Sequence, residues 1–129
     1  VKTFIESKAG RIKVTLVQPV GEPLPGKNVL GIIPGTDPKL KNEYVALTAH
    51  YDHVGIGRAV SGDSIYNGTR DNAIGTTAVL QAARYFAANP PKRSILVMTV
   101  TAEEKGLLGS KWFADHPLVP LKQIIFNLN

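Results

Sequence analysis

The chain has 129 residues, the size of one ordinary domain, with 43% hydrophobic and 19% charged residues, which supplies a core and excludes a disordered chain. It has no cysteine, so a disulfide framework, a Cys-ligated zinc finger and a thiol nucleophile are excluded, and any metal site must use His and carboxylates. The net charge is +5, but the 15 basic residues are spread from Lys2 to Lys122 with no basic element carrying interleaved aromatics, so no nucleic-acid partner is expected. The longest apolar runs, such as Ser94–Val100, are strand-sized, well short of the roughly 20 residues of a membrane helix, and no membrane span is expected in them. No secretory leader is visible and Val1 is not a natural start, so the sequence reads as a processed or cut piece of something longer.

Along the chain, Arg11–Gln18 alternates polar and apolar residues and predicts a half-buried strand. Gly21–Gly26 predicts a turn and Asn28–Pro34 a second strand, with a hairpin between the two strands as one reading. Gly35–Asn42 is a polar connection, and Tyr44–Ala49 is a short apolar strand running straight into His50. Gly55–Arg70, rich in Gly, Ser, Asp and Asn, predicts a long loop. Asp71–Ala88 predicts a helix capped by Asp71 or Asn72 and stopped by Asn89-Pro90-Pro91. Ser94–Thr101 is a buried-type strand, Gly106–His116 a shorter helix ended by Pro117, and Gln123–Leu128 a further strand. Strands alternating with helices imply right-handed crossovers and an α/β fold with a mixed, mainly parallel sheet.

The acidic residues are unevenly placed. Four of the ten, Asp52, Asp71, Glu103 and Glu104, fall in three short segments. In an open α/β sheet the carboxyl ends of parallel strands form the binding rim. Tyr44–Ala49 runs into His50 and Asp52, Ser94–Thr101 into Glu103 and Glu104, and Gln123–Leu128 into Asn129. Asp71, heading the helix after the long loop, can reach the same rim. Each residue alone has a plain reading: the Glu pair a solvated helix start, His50 a hydrogen-bonded strand end, Asp71 an N-cap, Asp52 a turn residue. His53 points away from His50 on a strand or tight turn and reads as structural or as support for a neighbour. Together the carboxylates would repel one another, and a divalent cation removes that penalty. Imidazole with carboxylate and no thiolate suits Zn²⁺, and also Mn²⁺ or Co²⁺. His50 and Asp52, two apart, fit a carboxylate fixing a ligating imidazole.

Three strings make a resemblance specific: His50-Tyr51-Asp52-His53, Asn67-Gly68-Thr69-Arg70-Asp71-Asn72-Ala73-Ile74-Gly75, and Thr101-Ala102-Glu103-Glu104-Lys105-Gly106-Leu107-Leu108-Gly109-Ser110. In this order and spacing they resemble the motifs of the co-catalytic zinc aminopeptidases of the aminopeptidase Y family, relatives of leucyl aminopeptidases, glutamate carboxypeptidase and glutaminyl cyclase. The resemblance runs from about Asn28 to Asn129. It implies a three-layer α/β/α, zinc-exopeptidase-like fold and hydrolysis of N-terminal peptide bonds by a metal-activated water. By the same resemblance His50, Asp71 and Glu104 are metal ligands, Asp71 bridges two Zn²⁺ ions, Asp52 orients His50, and Glu103 is the general base.

The resemblance also implies an Asp ligand on the strand after the second helix and a later His. Here that strand reads Gln123-Ile124-Ile125-Phe126-Asn127-Leu128-Asn129, and the Asp is expected just after it. The chain is therefore read as a single domain, 1–129, forming the N-terminal half of a peptidase domain truncated at its C-terminus. Alone, it is expected to be weakly active or inactive, with a partial metal site and an open edge favouring self-association or a complementing chain. Its partner is a peptide substrate. Alternative readings are a non-catalytic binding module of the same fold and a glutaminyl cyclase-like enzyme. The resemblance favours secreted or periplasmic placement.

Overall fold

A computed structural model describes residues 24–129 in full and, before them, the backbone of two strands, β1 (Lys2–Ser7) and β2 (Gly10–Thr15). These pair antiparallel, from Lys2 opposite Thr15 to Ser7 opposite Gly10. The strand expected over Arg11–Gln18 thus covers Gly10–Thr15, and 16–18, with 21–23 of the expected turn, lie outside the described residues. The hairpin partner of β2 is β1, not Asn28–Pro34, because a short connection closes an antiparallel pair at the lowest entropic cost.

The remaining elements are β3 (Val29–Ile33), β4 (Tyr44–His50), β5 (Gly55–Val60), β6 (Asp63–Tyr66), α1 (Ile74–Ala88), β7 (Ser94–Val100), α2 (Leu108–Asp115) and β8 (Ile124–Leu128). The central sheet has the order β3-β7-β4-β8. β4 runs parallel to both β7 and β8, while β3 is antiparallel to β7, so the sheet is mixed and mainly parallel, as expected.

Side-chain alternation divides this sheet between two cores. Leu47, Ala49 and Ile95, with Val45 and Val97, pack against Val79, Ala82 and Phe86 of α1. Ala46, Leu96, Met98 and Val100 pack on the opposite face against Phe113 of α2 and Val119. Helices on both faces make three layers. β7 is buried almost throughout because both its faces are covered, which is why it reads as an unbroken apolar run.

Two expectations are corrected. The segment expected as a loop, Gly55–Arg70, contains the β5–β6 hairpin. Its turn is Ser61-Gly62 between the paired residues Val60 and Asp63, with φ of 53° and 88°, the left-handed pair that suits a tight hairpin. Both strands are largely exposed, so no apolar pattern marked them. The helix expected from Asp71 begins at Ile74. Asp71 and Asn72, joined by a cis peptide bond, have non-helical backbones (φ −132° and −137°). Of the two expected caps it is Asn72 that acts, its Oδ1 accepting the Gly75 N–H at 3.0 Å. Asp71 is thereby left free for the rim.

Candidate metal centre

The parallel register sets the strand ends side by side. His50 lies opposite Val100, so the residues that follow β4 and β7 emerge at one edge. β8 arrives at the same edge: Thr48 Oγ1 lies 3.1 Å from Asn127 Oδ1 and 3.0 Å from Asn129 Oδ1. The turn before α1 is tied in by Thr76, whose hydroxyl donates to the His50 carbonyl at 2.9 Å.

His50 is buried at 8% exposure, and its two ring nitrogens face different partners. Nδ1 lies 2.9 Å from the main-chain carbonyl of Asp52, an acceptor only, so Nδ1 carries a proton. Nε2 faces Asp71 Oδ1, 2.9 Å away, with Glu103 Oε2 at 3.9 Å. Two carboxylates gathered at one imidazole nitrogen repel each other, and a positive centre at that point, a proton on Nε2 or a metal ion, offsets the repulsion. That donor set, one nitrogen and carboxylate oxygens with no sulfur, fits Zn²⁺.

Asp52 meets His50 more closely through its backbone than through the carboxylate expected to orient it. Its carboxylate is 3.8 Å from His50 Nδ1, and the close contact comes from its main-chain carbonyl instead. The carboxylate Oδ1 accepts the Glu103 N–H at 3.2 Å. One residue thus holds His50 by its backbone and the Glu103 turn by its side chain.

That turn leaves β7 through Ala102, with φ 54°. It closes when the Gly106 and Leu107 N–H groups donate to the Glu103 carbonyl, both at 2.9 Å. Adjacent side chains then diverge: Glu103 faces His50, while Glu104 Oε1 lies 2.7 Å from His53 Nδ1. His53, Asp71 and Glu104 each offer one ligand atom, all within 4.8 Å of one another. The structure therefore brings His50, Asp52, Asp71, Glu103 and Glu104 to one rim. It adds His53, which strand alternation had directed elsewhere. Alternation fails because the Tyr51 N–H makes the last bond to β7, on Val100 O at 3.0 Å, and the chain then turns around the Asp52 carbonyl. The signal available in sequence was the Gly55 that soon follows His53, which marks the end of the strand.

The positioning is reinforced from beneath. Asn28, just before β3, donates to Gly109 O at 2.8 Å and accepts the Thr101 N–H at 3.2 Å, clamping β7 to the start of α2.

The sequence pattern of Peptidase family M28 matches residues 28–129. The vacuolar membrane protease of Pyricularia oryzae is 38% identical over 86 residues, 65% of this chain and 8% of that protein. A probable zinc metalloprotease of Pyrenophora teres f. teres is 31% identical over 115 residues, 89% of this chain and 22% of that protein. The crystal structure of a zinc aminopeptidase from Bacillus subtilis superposes with a TM-score of 0.57 at 32% identity, covering 78% of this chain and 22% of that one. The chain thus spans under a quarter of the length of each of these relatives. The expected secreted or periplasmic placement is corrected by these relatives: those from Pyricularia oryzae, Schizosaccharomyces pombe and Verticillium alfalfae are all named for the vacuolar membrane. Among the described residues no helix is long and apolar enough to cross a membrane.

Proposed function

The chain belongs to peptidase family M28, and on that premise we propose that it is the N-terminal part of a zinc-dependent peptidase domain that removes residues from the N-terminus of peptides, in a protein of the vacuolar membrane. The observation that carries this reading is the meeting of His50 Nε2 with Asp71 Oδ1 at 2.9 Å, with Glu103 alongside.

In this reading His50, Asp71 and Glu104 would hold the metal; Asp71 is the most exposed of the three and has contacts on the His50 side and the Glu104 side. Zn²⁺ bound there supplies Lewis acidity toward the scissile carbonyl and an acidified water. The chain's own residues supply orientation and proton transfer. The Asp52 carbonyl keeps the proton of His50 on Nδ1 and leaves Nε2 free to ligate. The Asp52 carboxylate, through the Glu103 N–H, sets the carboxylate of Glu103 toward the rim. Glu103, held by its backbone and one-third exposed at its side chain, takes the proton of the attacking water at a carboxylate oxygen and returns it to the leaving amine. It can do so because its neighbour Glu104 faces the other way and does not compete for the same position.

The test is zinc-dependent release of the chromophore from an aminoacyl p-nitroanilide by the full-length protein, compared with Glu103→Gln. The variant should retain its zinc and lose about 10²- to 10⁴-fold in kcat. A Glu103→Gln protein as active as the parent would refute the assignment of the base, and a zinc-loaded full-length protein inert toward all N-terminal substrates would refute the aminopeptidase reading.

A further inference from the structure

We infer that His53 is a metal ligand, binding through Nδ1 the same cation as Asp71 and Glu104. This rests on the zinc-peptidase reading and extends it to a residue that reading does not use.

Three observations carry it. First, His53 Nδ1 and Glu104 Oε1 are both buried atoms, 2.7 Å apart, yet neither makes a hydrogen bond within the described residues. They are close but not aligned with one another. Buried polar groups left in that state are rare, and a shared third partner resolves both at once. Second, Asp71 offers an oxygen within 4.8 Å of both atoms, so nitrogen and two oxygens surround one point. His50 Nε2 engages Asp71 from its own side, which makes Asp71 the member common to both groups. Third, the His53 ring is held in place. A Cβ on Gly68 would stand 2.7 Å from His53 Cβ and 2.9 Å from Cγ, so only a residue without a side chain fits there. The Tyr66 ring flanks His53 at a centroid distance of 6.5 Å.

The distances leave room for the ion. Nitrogen and oxygen ligands of a tetrahedral zinc stand about 3.4 Å apart, so this pair opens by roughly 0.7 Å, a small rotation of the Glu104 side chain. A supporting role, with His53 donating a hydrogen bond to Glu104, requires the alignment that the pair lacks.

The experiment is zinc titration of the full-length protein against a chromogenic chelator, with parallel Co²⁺ absorption spectra, for the parent, His53→Ala and His53→Asn. The parent should bind two ions. His53→Ala should weaken one of them more than 100-fold, change the visible bands of the corresponding Co²⁺, and leave the ion at His50 unmoved. His53→Asn, whose amide can occupy the Nδ1 position, should recover part of the loss; it decides the matter if circular dichroism shows His53→Ala misfolded. Two ions held by both variants with parental affinity and unaltered Co²⁺ bands overturn the inference while leaving the peptidase reading intact. A loss confined to 10- to 100-fold with unaltered bands also overturns it, because that is the effect of removing a residue that merely supports a ligand. A parent that binds no zinc sinks both.

Discussion

Gly31 and Gly109 receive the same substitution into opposite surroundings, and the two outcomes should differ in sign. A Cβ at Gly109 would stand 2.4 Å from the Thr101 carbonyl oxygen, 2.8 Å from the Thr101 nitrogen and 2.5 Å from Asn28 Oδ1. Two of these are backbone atoms at the end of β7, so relief requires α2 to withdraw by about 1 Å to reach ordinary contact. Such overpacking costs about 1–3 kcal/mol. Withdrawal also strains the two Asn28 hydrogen bonds that clamp β7 to α2, each worth about 1 kcal/mol. Replacing a helical Gly returns roughly 0.5–1 kcal/mol. The net expectation for Gly109→Ala is a loss of about 3 kcal/mol, which at a slope of about 2 kcal/mol per molar lowers the urea midpoint by about 1.5 M. Gly31 lies on the edge strand β3, with nothing within 4 Å of the added methyl. Gly31→Ala should therefore raise stability by about 0.5 kcal/mol through lost chain entropy in the unfolded state. Urea unfolding of the full-length protein, followed by circular dichroism, reads both. A Gly109→Ala midpoint within 0.3 M of the parent, for the slope of about 2 kcal/mol per molar used here, would refute the argument that backbone contact at Thr101 sets the β7–α2 junction.

Other substitutions address the site and the core. Asp52→Ala removes the acceptor of the Glu103 N–H but not the main-chain carbonyl that holds His50, so kcat should fall about 10- to 100-fold, the worth of one charge-assisted hydrogen bond, with zinc affinity within tenfold of the parent. A large loss of zinc would show that the carboxylate holds the imidazole after all. His50→Ala should abolish one bound zinc by metal analysis, and chelation of the parent should silence hydrolysis until zinc is restored. Leu96→Ala, at the one large side chain among the described residues wholly out of solvent, should cost about 2–5 kcal/mol in urea unfolding.

How much was legible in advance differs between the sheet and its rim. Apolar runs at Tyr44–Ala49 and Ser94–Thr101 announced their strands because both faces of β4 and β7 are covered by helices, and burial on two sides leaves a plain mark in composition. The β5–β6 hairpin left no such mark, since its strands are exposed and only the Ser61-Gly62 turn chemistry betrayed it. The convergence of His50, Glu103 and Glu104 followed from a topological rule, because parallel neighbours must bring their carboxyl ends to one edge.

Which atom meets which was beyond that rule. Residue order placed Asp52 beside His50, but the fold uses its carbonyl for the imidazole and its carboxylate for Glu103. Period-two alternation sent His53 away, and a turn after Tyr51 brings it to Glu104. The local pattern of side chains specifies elements and faces because those depend on near neighbours along the chain. The pairing of polar atoms depends on where each turn exits, to within an ångström, and that is set by packing between segments far apart in the chain, as in the hold of Asp52 on Glu103, 51 residues away, and of Asn28 on Gly109, 81 residues away.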